Sequence, residues 1–284
     1  MTIAFEKSAE APSINNAGLV LGGFSIAVLL LAAVTLGAWL MGASGLLSDF
    51  QARLQPPSSS HLFGTDMLGR DMLARTIKGL ALSLRIGFLA AGISVIIATG
   101  LAILAASGSR MADAAVSLVV DMTMGLPHLV LLILISFALG GGTTAVVIAV
   151  AVTHWPRLTR ILRAEILQLQ AAEYVTVSRN FGKSRWYIAR HHFLPHLVPQ
   201  MIVGFVLLFP HAILHEAGLT FLGFGIEPSK PAIGILLSES MRYLMAGKWW
   251  LGCFPGLMLL IAVLCFDFIG NGLRTLTDPR GSQQ

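Results

Sequence analysis

Two histidines, His211 and His215, stand four residues apart inside an apolar stretch. On a helix that spacing is about 40° of rotation and about 6 Å of rise, so both imidazoles project from one face. Imidazole nitrogen suits nickel, cobalt, copper and zinc far better than it suits a peptide backbone. An ionisable residue at membrane depth faces a bundle interior or a cavity. Two readings stay open on these residues: ligands lining a path for a transition metal, or interhelical hydrogen-bonding groups. A translocation site must release its cargo, which suits two imidazoles better than a closed four-ligand cage. His128, directly after Pro127, is a weaker candidate of the same kind, because a lone histidine beside a helix kink is more often structural. His191, His192 and His196 look like a cluster, but they lie at the membrane end of a basic, polar segment.

Enzyme motifs fail at identifiable positions. His215-Glu216 begins H-E-x-x-H, but position 219 is leucine, and the inverted H-x-x-E-H fails at Leu214. No G-x-x-x-x-G-K-[ST] loop and no G-x-G-x-x-G is present, so the chain carries no usual phosphate-binding signature for hydrolysing ATP itself. Cys253 and Cys265 both fall in the last apolar run, which argues against a disulfide scaffold and leaves no cysteine-based metal motif.

Two further segments carry chemistry of position rather than of reaction. Residues 157–195 hold Arg157, Arg160, Arg163, Arg179, Lys183, Arg185 and Arg190 against Glu165 and Glu173, with apolar residues interleaved. Gly182 sits where a helix can end and the chain turn sharply. A short helix, a turn and a second helix are expected there, either docking on a partner or lying on anionic lipid. The second segment, Gly64-Thr65-Asp66 and Gly69-Arg70-Asp71, reads as turn chemistry with charge-assisted bonds, hence a folded external cap.

The elements that must position these residues are apolar spans. The chain has 284 residues, 55% hydrophobic and 12% charged, against roughly 25% charged in a soluble domain. Residues 17–41 hold no charge and suffice to cross a hydrocarbon core of about 30 Å. They read as a retained helix, being too long for a signal-peptide core and without a convincing cleavage site. The reading is an all-α polytopic protein with six transmembrane helices: 17–41, 80–106, 115–139 with Pro127 inside it, 143–160, 197–219 and 249–273. Residues 1–16 and 274–284 are polar tails, 42–79 an external loop, and 80–273 a five-helix core interrupted by the basic loop 157–195. Gly140-Gly141-Gly142 is a turn, and 222–248 a second polar loop. The net charge of +5 fits basic loops on the cytoplasmic side rather than nucleic-acid binding. With 157–195 inside, that side gains Lys7, Arg110, Arg274 and Arg280 as well, and both termini are cytoplasmic.

Several motifs share a resemblance. Gly182 followed by Leu194-Pro195 resembles the coupling loop of ABC-importer permeases, although the glutamate and two alanines of that pattern fall on Thr176, Val177 and Ser178. Glu173 lies one turn earlier. His61-Leu62-Phe63-Gly64-Thr65-Asp66-Met67-Leu68-Gly69-Arg70-Asp71 is similar to the "LGTDxLGRD" segment of the dipeptide/oligopeptide/nickel permeases, and Glu216-Ala217-Gly218-Leu219-Thr220-Phe221-Leu222-Gly223 to their "EAGLSFLG". Phe254-Pro255-Gly256-Leu257 and Asp278-Pro279-Arg280 match "FPGL" and "DPR". The order resembles the second, C-type permease of such systems. Asp267 and Asn271 exchange the family's Asn and Asp, and an i,i+4 carboxylate–amide pair of structural use is expected.

That resemblance implies a type I ABC-importer permease fold in the bacterial inner membrane. It implies a homologous permease subunit, two ATP-binding subunits that supply ATP and magnesium chemistry, and an extracytoplasmic substrate-binding protein. It implies no cofactor on this subunit, and places coupling to the ATPase on Glu173, Thr176, Ser178, Arg179, Phe181 and Gly182. Nickel-type members carry a similar His-x-x-x-His, and His154 before Trp155 also matches their pattern. The cargo expected on that ground is nickel or a related transition metal, free or chelated, with His211, His215, His154 and His128 on its path. A dipeptide or oligopeptide cargo is the alternative; a channel or an intramembrane enzyme is a distant one.

Overall fold

The computed structural model describes residues 14–42 and 45–277. Most of the N-terminal tail and the Asp278-Pro279-Arg280 motif fall outside them, as does the side chain of Asn271, so the Asp267/Asn271 pairing lies outside the described residues. Every regular element among those residues is helical: α1 (Ile14–Leu40), α2 (Met72–Ser107), α3 (Arg110–Gly125), α4 (His128–Ala138), α5 (Gly142–Leu169), α6 (Glu173–Asn180), α7 (Arg185–Ile188), α8 (Leu194–Phe221), α9 (Ile233–Leu244) and α10 (Trp250–Thr277). A π-helical turn, Ala189–Phe193, joins α7 to α8.

Gly22–Leu40, α2, α5, the continuous 185–221 element and Trp250–Gly270 are long and apolar enough to cross a membrane. A sixth span exists if α3 and α4 are taken together, and these are bent by 98° at their junction. The continuous helix expected over 115–139 is therefore broken. Leu126 is extended, at φ −93° and ψ 143°, as a residue before proline prefers, and Pro127 precedes the first residue of α4. Proline alone does not break a helix here, since Pro156, Pro199, Pro210 and Pro255 lie within continuing ones. At 125–127 a glycine and a proline flank a single residue, and the helix gives way.

Other boundaries also move. α2 begins at Met72 rather than 80, because the Asp71 side chain accepts from the Ala74 amide and caps it. Arg75, Lys78 and Arg85 thus lie on a helix. α5 continues to Leu169, so Arg157, Arg160 and Arg163 are helical rather than in a loop. Acidic residues of α3 receive two of them: Arg163 is bidentate to Asp113 at 2.6 Å through both nitrogens, and Arg160 pairs with Asp121. The second polar loop contains α9.

α2 is the central helix and packs along α5 and α8 through small side chains. Ala90, Ala98, Ala102 and Ala149 are fully buried, and Ser94 Oγ donates to the Ala151 carbonyl at 3.1 Å. A Cβ on Gly87 would meet Ile213 at 2.7 Å. Without a hydrophobic drive between helices in lipid, such close backbone approach supplies the packing energy. α1 stands outside this core, with only 6% of its apolar window buried.

Candidate functional site

Three helices bring their histidines to one place. His128 opens α4 at the 98° break, His154 lies 12 residues, about 18 Å, along α5 from Gly142, and His215 lies on α8. Ring centroids are 4.6 Å apart for His128–His154, 4.6 Å for His128–His215 and 5.1 Å for His154–His215. One ligand nitrogen from each lies within 4.8 Å of the others, the only such grouping of three potential metal ligands among the described residues. His154 Nδ1 is 2.8 Å from the Val150 carbonyl. A carbonyl only accepts, so Nδ1 carries the proton and Nε2 presents its lone pair. Nε2 of His154 and Nε2 of His128 are buried with no hydrogen-bond partner.

His211 is not in this group. It is exposed, and its Nδ1 bonds back to the Leu207 carbonyl at 3.1 Å within the same helix. The i,i+4 pairing of His211 with His215 is thus replaced by a pairing of His215 with His128 and His154. His191, His192 and His196 are dispersed: His191 bonds to the Tyr187 carbonyl and stacks on its ring, His192 meets Ser178 at 2.8 Å, and His196 faces Glu165 at 3.8 Å. Glu216, next to His215, turns away into the bundle, where it accepts from Thr220 at 3.0 Å.

A second region forms at the far end of α5. The chain turns at 170–172 into α6, whose end is a Schellman motif: Lys183 N–H donates to Ser178 O at 3.1 Å and Gly182 N–H to Arg179 O at 3.0 Å. Gly182 has φ +73°, the left-handed conformation that lets the chain reverse. Val175 is fully buried in the bundle and anchors α6. Glu173, Thr176, Arg179, Phe181 and Gly182 stay exposed, whereas Ser178 turns inward to His192. Tyr174, Val177, Phe181 and Trp186 add an exposed apolar surface, with Phe181 80% and Trp186 72% accessible. Beside it, Arg179, Lys183 and Arg185 line a cavity of about 310 Å³. Trp186 and Tyr174 were not singled out from the sequence; their aromatic character within a basic segment was the available signal.

A third region is a cap over the opposite end. Asp66, only 3% exposed, accepts from the amides of Leu68 and Arg70, from Arg70 Nε at 2.6 Å and from Arg75 at 2.6 Å. Arg75 also reaches Glu239 on α9 at 2.9 Å, a partner that turn chemistry could not reveal. Thr65 Oγ donates to the Ala52 carbonyl and accepts from the Gln55 amide. Asp71 accepts from His61 at 3.0 Å as well as capping α2. Gly69, at φ +75°, leaves no room for a side chain, since a Cβ would fall 1.6 Å from the Asp49 carbonyl oxygen. Also in this end, the turn Gly140–Gly142 docks on the α8–α9 loop through Gly142 N–H to Gly225 O at 2.9 Å. In that loop the Glu227 carboxyl is held below its usual range by its own backbone amide, by Lys230 and by Thr143.

The apolar helices, the break between α3 and α4 and the short helix between two spans define an integral membrane permease of the type I ABC-importer fold. Residues 98–283 match the family described as "Binding-protein-dependent transport system inner membrane component", and the chain belongs to that family. It is 32% identical over 262 residues to a dipeptide transport system permease protein of Bacillus subtilis, covering 92% of this chain and 82% of that one. It is 37% identical over 258 residues to a putative peptide transport system permease protein of Brucella suis, covering 91% and 86%. Among solved structures, the inward-facing MetNI methionine ABC transporter superposes with TM-score 0.59 at 19% identity, over 73% of this chain and 98% of that one. A structure of an amino acid ABC transporter gives TM-score 0.54 at 19% identity, over 70% and 92%. The chain is a permease subunit of a binding-protein-dependent ABC importer, without an ATPase domain of its own, and works with ATPase and substrate-binding partners.

Proposed function

We propose that this subunit imports short peptides, or peptide-like solutes, across a bacterial plasma membrane. The carrying observation is the similarity over more than nine-tenths of the chain to relatives named as peptide permeases. In this reading it pairs with a homologous permease subunit and two ATP-binding subunits, receives cargo from an extracytoplasmic binding protein, and has both termini in the cytoplasm. The α6 surface seats in the ATPase, and ATP-driven closure rocks the spans so that the path opens alternately to each side. For this to work the ATPase must bind the two states with different affinity.

The transition-metal cargo expected from the sequence has the histidines as its support, and the His128–His154–His215 cluster keeps it as a second reading. The names of the relatives favour peptides. The test is uptake of labelled di- and tripeptides and of nickel in a strain lacking this subunit, complemented by the chain. ATP-dependent peptide uptake restored by the chain supports the first reading. Restoration of nickel uptake alone replaces it with the second.

A further inference from the structure

We propose that His128, His154 and His215 form a binding site for one divalent late transition-metal ion, held by three imidazole nitrogens with a fourth position open. The inference does not depend on which solute the importer carries.

Four observations converge. The first is the donor set: three imidazoles from three different helices, with one nitrogen of each within 4.8 Å of the others. Zinc–imidazole bonds are about 2.0–2.1 Å long, which puts tetrahedral nitrogens about 3.3 Å apart, so a shift of about 1 Å in the side chains closes the triangle on an ion. The rings gather tip to tip and edge to face rather than in parallel stacks, at interplanar angles of 84°, 59° and 65°.

The second observation is the unspent polar capacity. Nε2 of His128 and of His154 are both buried and without a partner. An unmade hydrogen bond on a buried polar atom costs about 1–3 kcal/mol, and two in one place call for a common partner. A cation with two or more vacant positions is such a partner. A third histidine as mutual hydrogen-bond donor is not, since no hydrogen bond joins the three rings.

The third observation is orientation. His154 Nδ1–H points at the Val150 carbonyl, one helical turn back. Metal-ligating histidines characteristically donate the other ring N–H to a carbonyl or carboxylate, which fixes the tautomer and directs the lone pair. Here the backbone of α5 performs that task for Nε2, the nitrogen left without a partner.

The fourth is chemical class. Three neutral nitrogen ligands and no carboxylate select nickel, cobalt, copper or zinc over magnesium or calcium, which take oxygen. A divalent ion on three neutral ligands keeps its double charge within a membrane-spanning bundle, so its open position takes an anionic oxygen ligand. The chain closes only three sides, and His128 and His215 are half-buried rather than sealed, which leaves the fourth approach free. His128 stands at the 98° break, so an ion there ties the mobile end of that break to α5 and α8.

The test uses the complete importer, purified with its partner subunits in lipid nanodiscs and stripped of metal. Zinc and cobalt are titrated separately by equilibrium dialysis with elemental analysis, and the cobalt-loaded form is read by its visible absorption and by X-ray absorption at the metal edge. One ion per copy of this chain, with nitrogen neighbours and the strong visible bands of four-coordinate cobalt, is expected. His154→Ala and His128→Gln should each weaken binding at least tenfold, while the double change His191→Ala with His192→Ala leaves it unaltered. Size-exclusion chromatography with the partner subunits reports whether each variant is assembled, and His128→Gln, at the more accessible position, serves if His154→Ala does not assemble. The proposal is overturned by equal binding in wild type and in an assembled His128 or His154 variant. It is equally overturned by oxygen-dominated coordination or by absence of stoichiometric binding. Peptide uptake is a separate readout: its loss would strike the proposed cargo and leave this site standing, and failure of metal binding would do the reverse.

Discussion

Replacing Gly182 by valine separates backbone conformation from size at the turn that aims α6. Gly182 is at φ +73°, and a Cβ built there meets nothing within 4 Å. The cost of a side chain is therefore conformational, about 1–2 kcal/mol for an L-residue held in the left-handed region. The two bonds of the Schellman motif, Lys183 N–H to Ser178 O and Gly182 N–H to Arg179 O, close only in that conformation. α6 is eight residues long, below the roughly 12–15 that a free helix needs, so its direction depends on this turn and on Val175. A penalty of 1–2 kcal/mol changes a population ratio by about 5–30-fold. If the docking-competent turn becomes the minor form, apparent affinity for the ATPase subunits falls by up to that factor. Affinity is measured by binding of the purified ATPase subunit to permease in nanodiscs, with membrane insertion checked separately. Gly182→Asn is the control, because asparagine enters the left-handed region at little cost, and it should stay near wild type. Equal damage from asparagine and valine would show that the partner needs an absent side chain there and refute the conformational argument. Wild-type affinity in the valine variant would show that the ATPase does not read the aim of α6.

Three further outcomes are expected. Asp66→Asn weakens the anchor of Arg75, which is 2% exposed; breaking a buried ion pair costs about 3–5 kcal/mol, so the melting temperature in detergent should fall clearly, and by less in Glu239→Gln, whose carboxylate is more accessible. In the metal titration, His215→Ala should lose zinc binding while His211→Ala keeps it; the reverse would restore the helix-face pairing read from spacing. Ala98→Leu inserts three carbons at a fully buried contact between α2 and α5, where overpacking costs about 1–3 kcal/mol, and should lower the melting temperature without changing zinc affinity.

Much of the architecture was legible because it is local. Charge-free runs marked the spans, and Gly140–Gly142 and Gly182 marked turns that do adopt positive φ. Asp71 and Ser109 cap α2 and α3 through side-chain bonds within three residues of themselves. Where local rules compete, the reading slipped. Pro127 was placed inside one helix because proline is tolerated in spans, and Gly125 tipped the balance toward a break. The stretch 157–169 looked like a loop because its arginines are costly in lipid. In the fold they remain on α5, two of them because Asp113 and Asp121 on α3 receive them.

By itself, then, the sequence determined an all-helical membrane protein, the order of its spans, and a short polar helix aimed by a glycine. Hydropathy and turn chemistry act over a few residues and need no partner. Only the tertiary structure decided which histidines meet. Spacing on one helix paired His211 with His215, whereas the packing of α5 and α8 and the bend before α4 set His215 against His154 and His128 and left His211 exposed. The same holds for Arg75, whose bond to Glu239 joins α2 to α9 across 164 residues. Such contacts depend on how helices cross, and crossing is set by small residues such as Gly87 and Ala98 on surfaces that no linear period records.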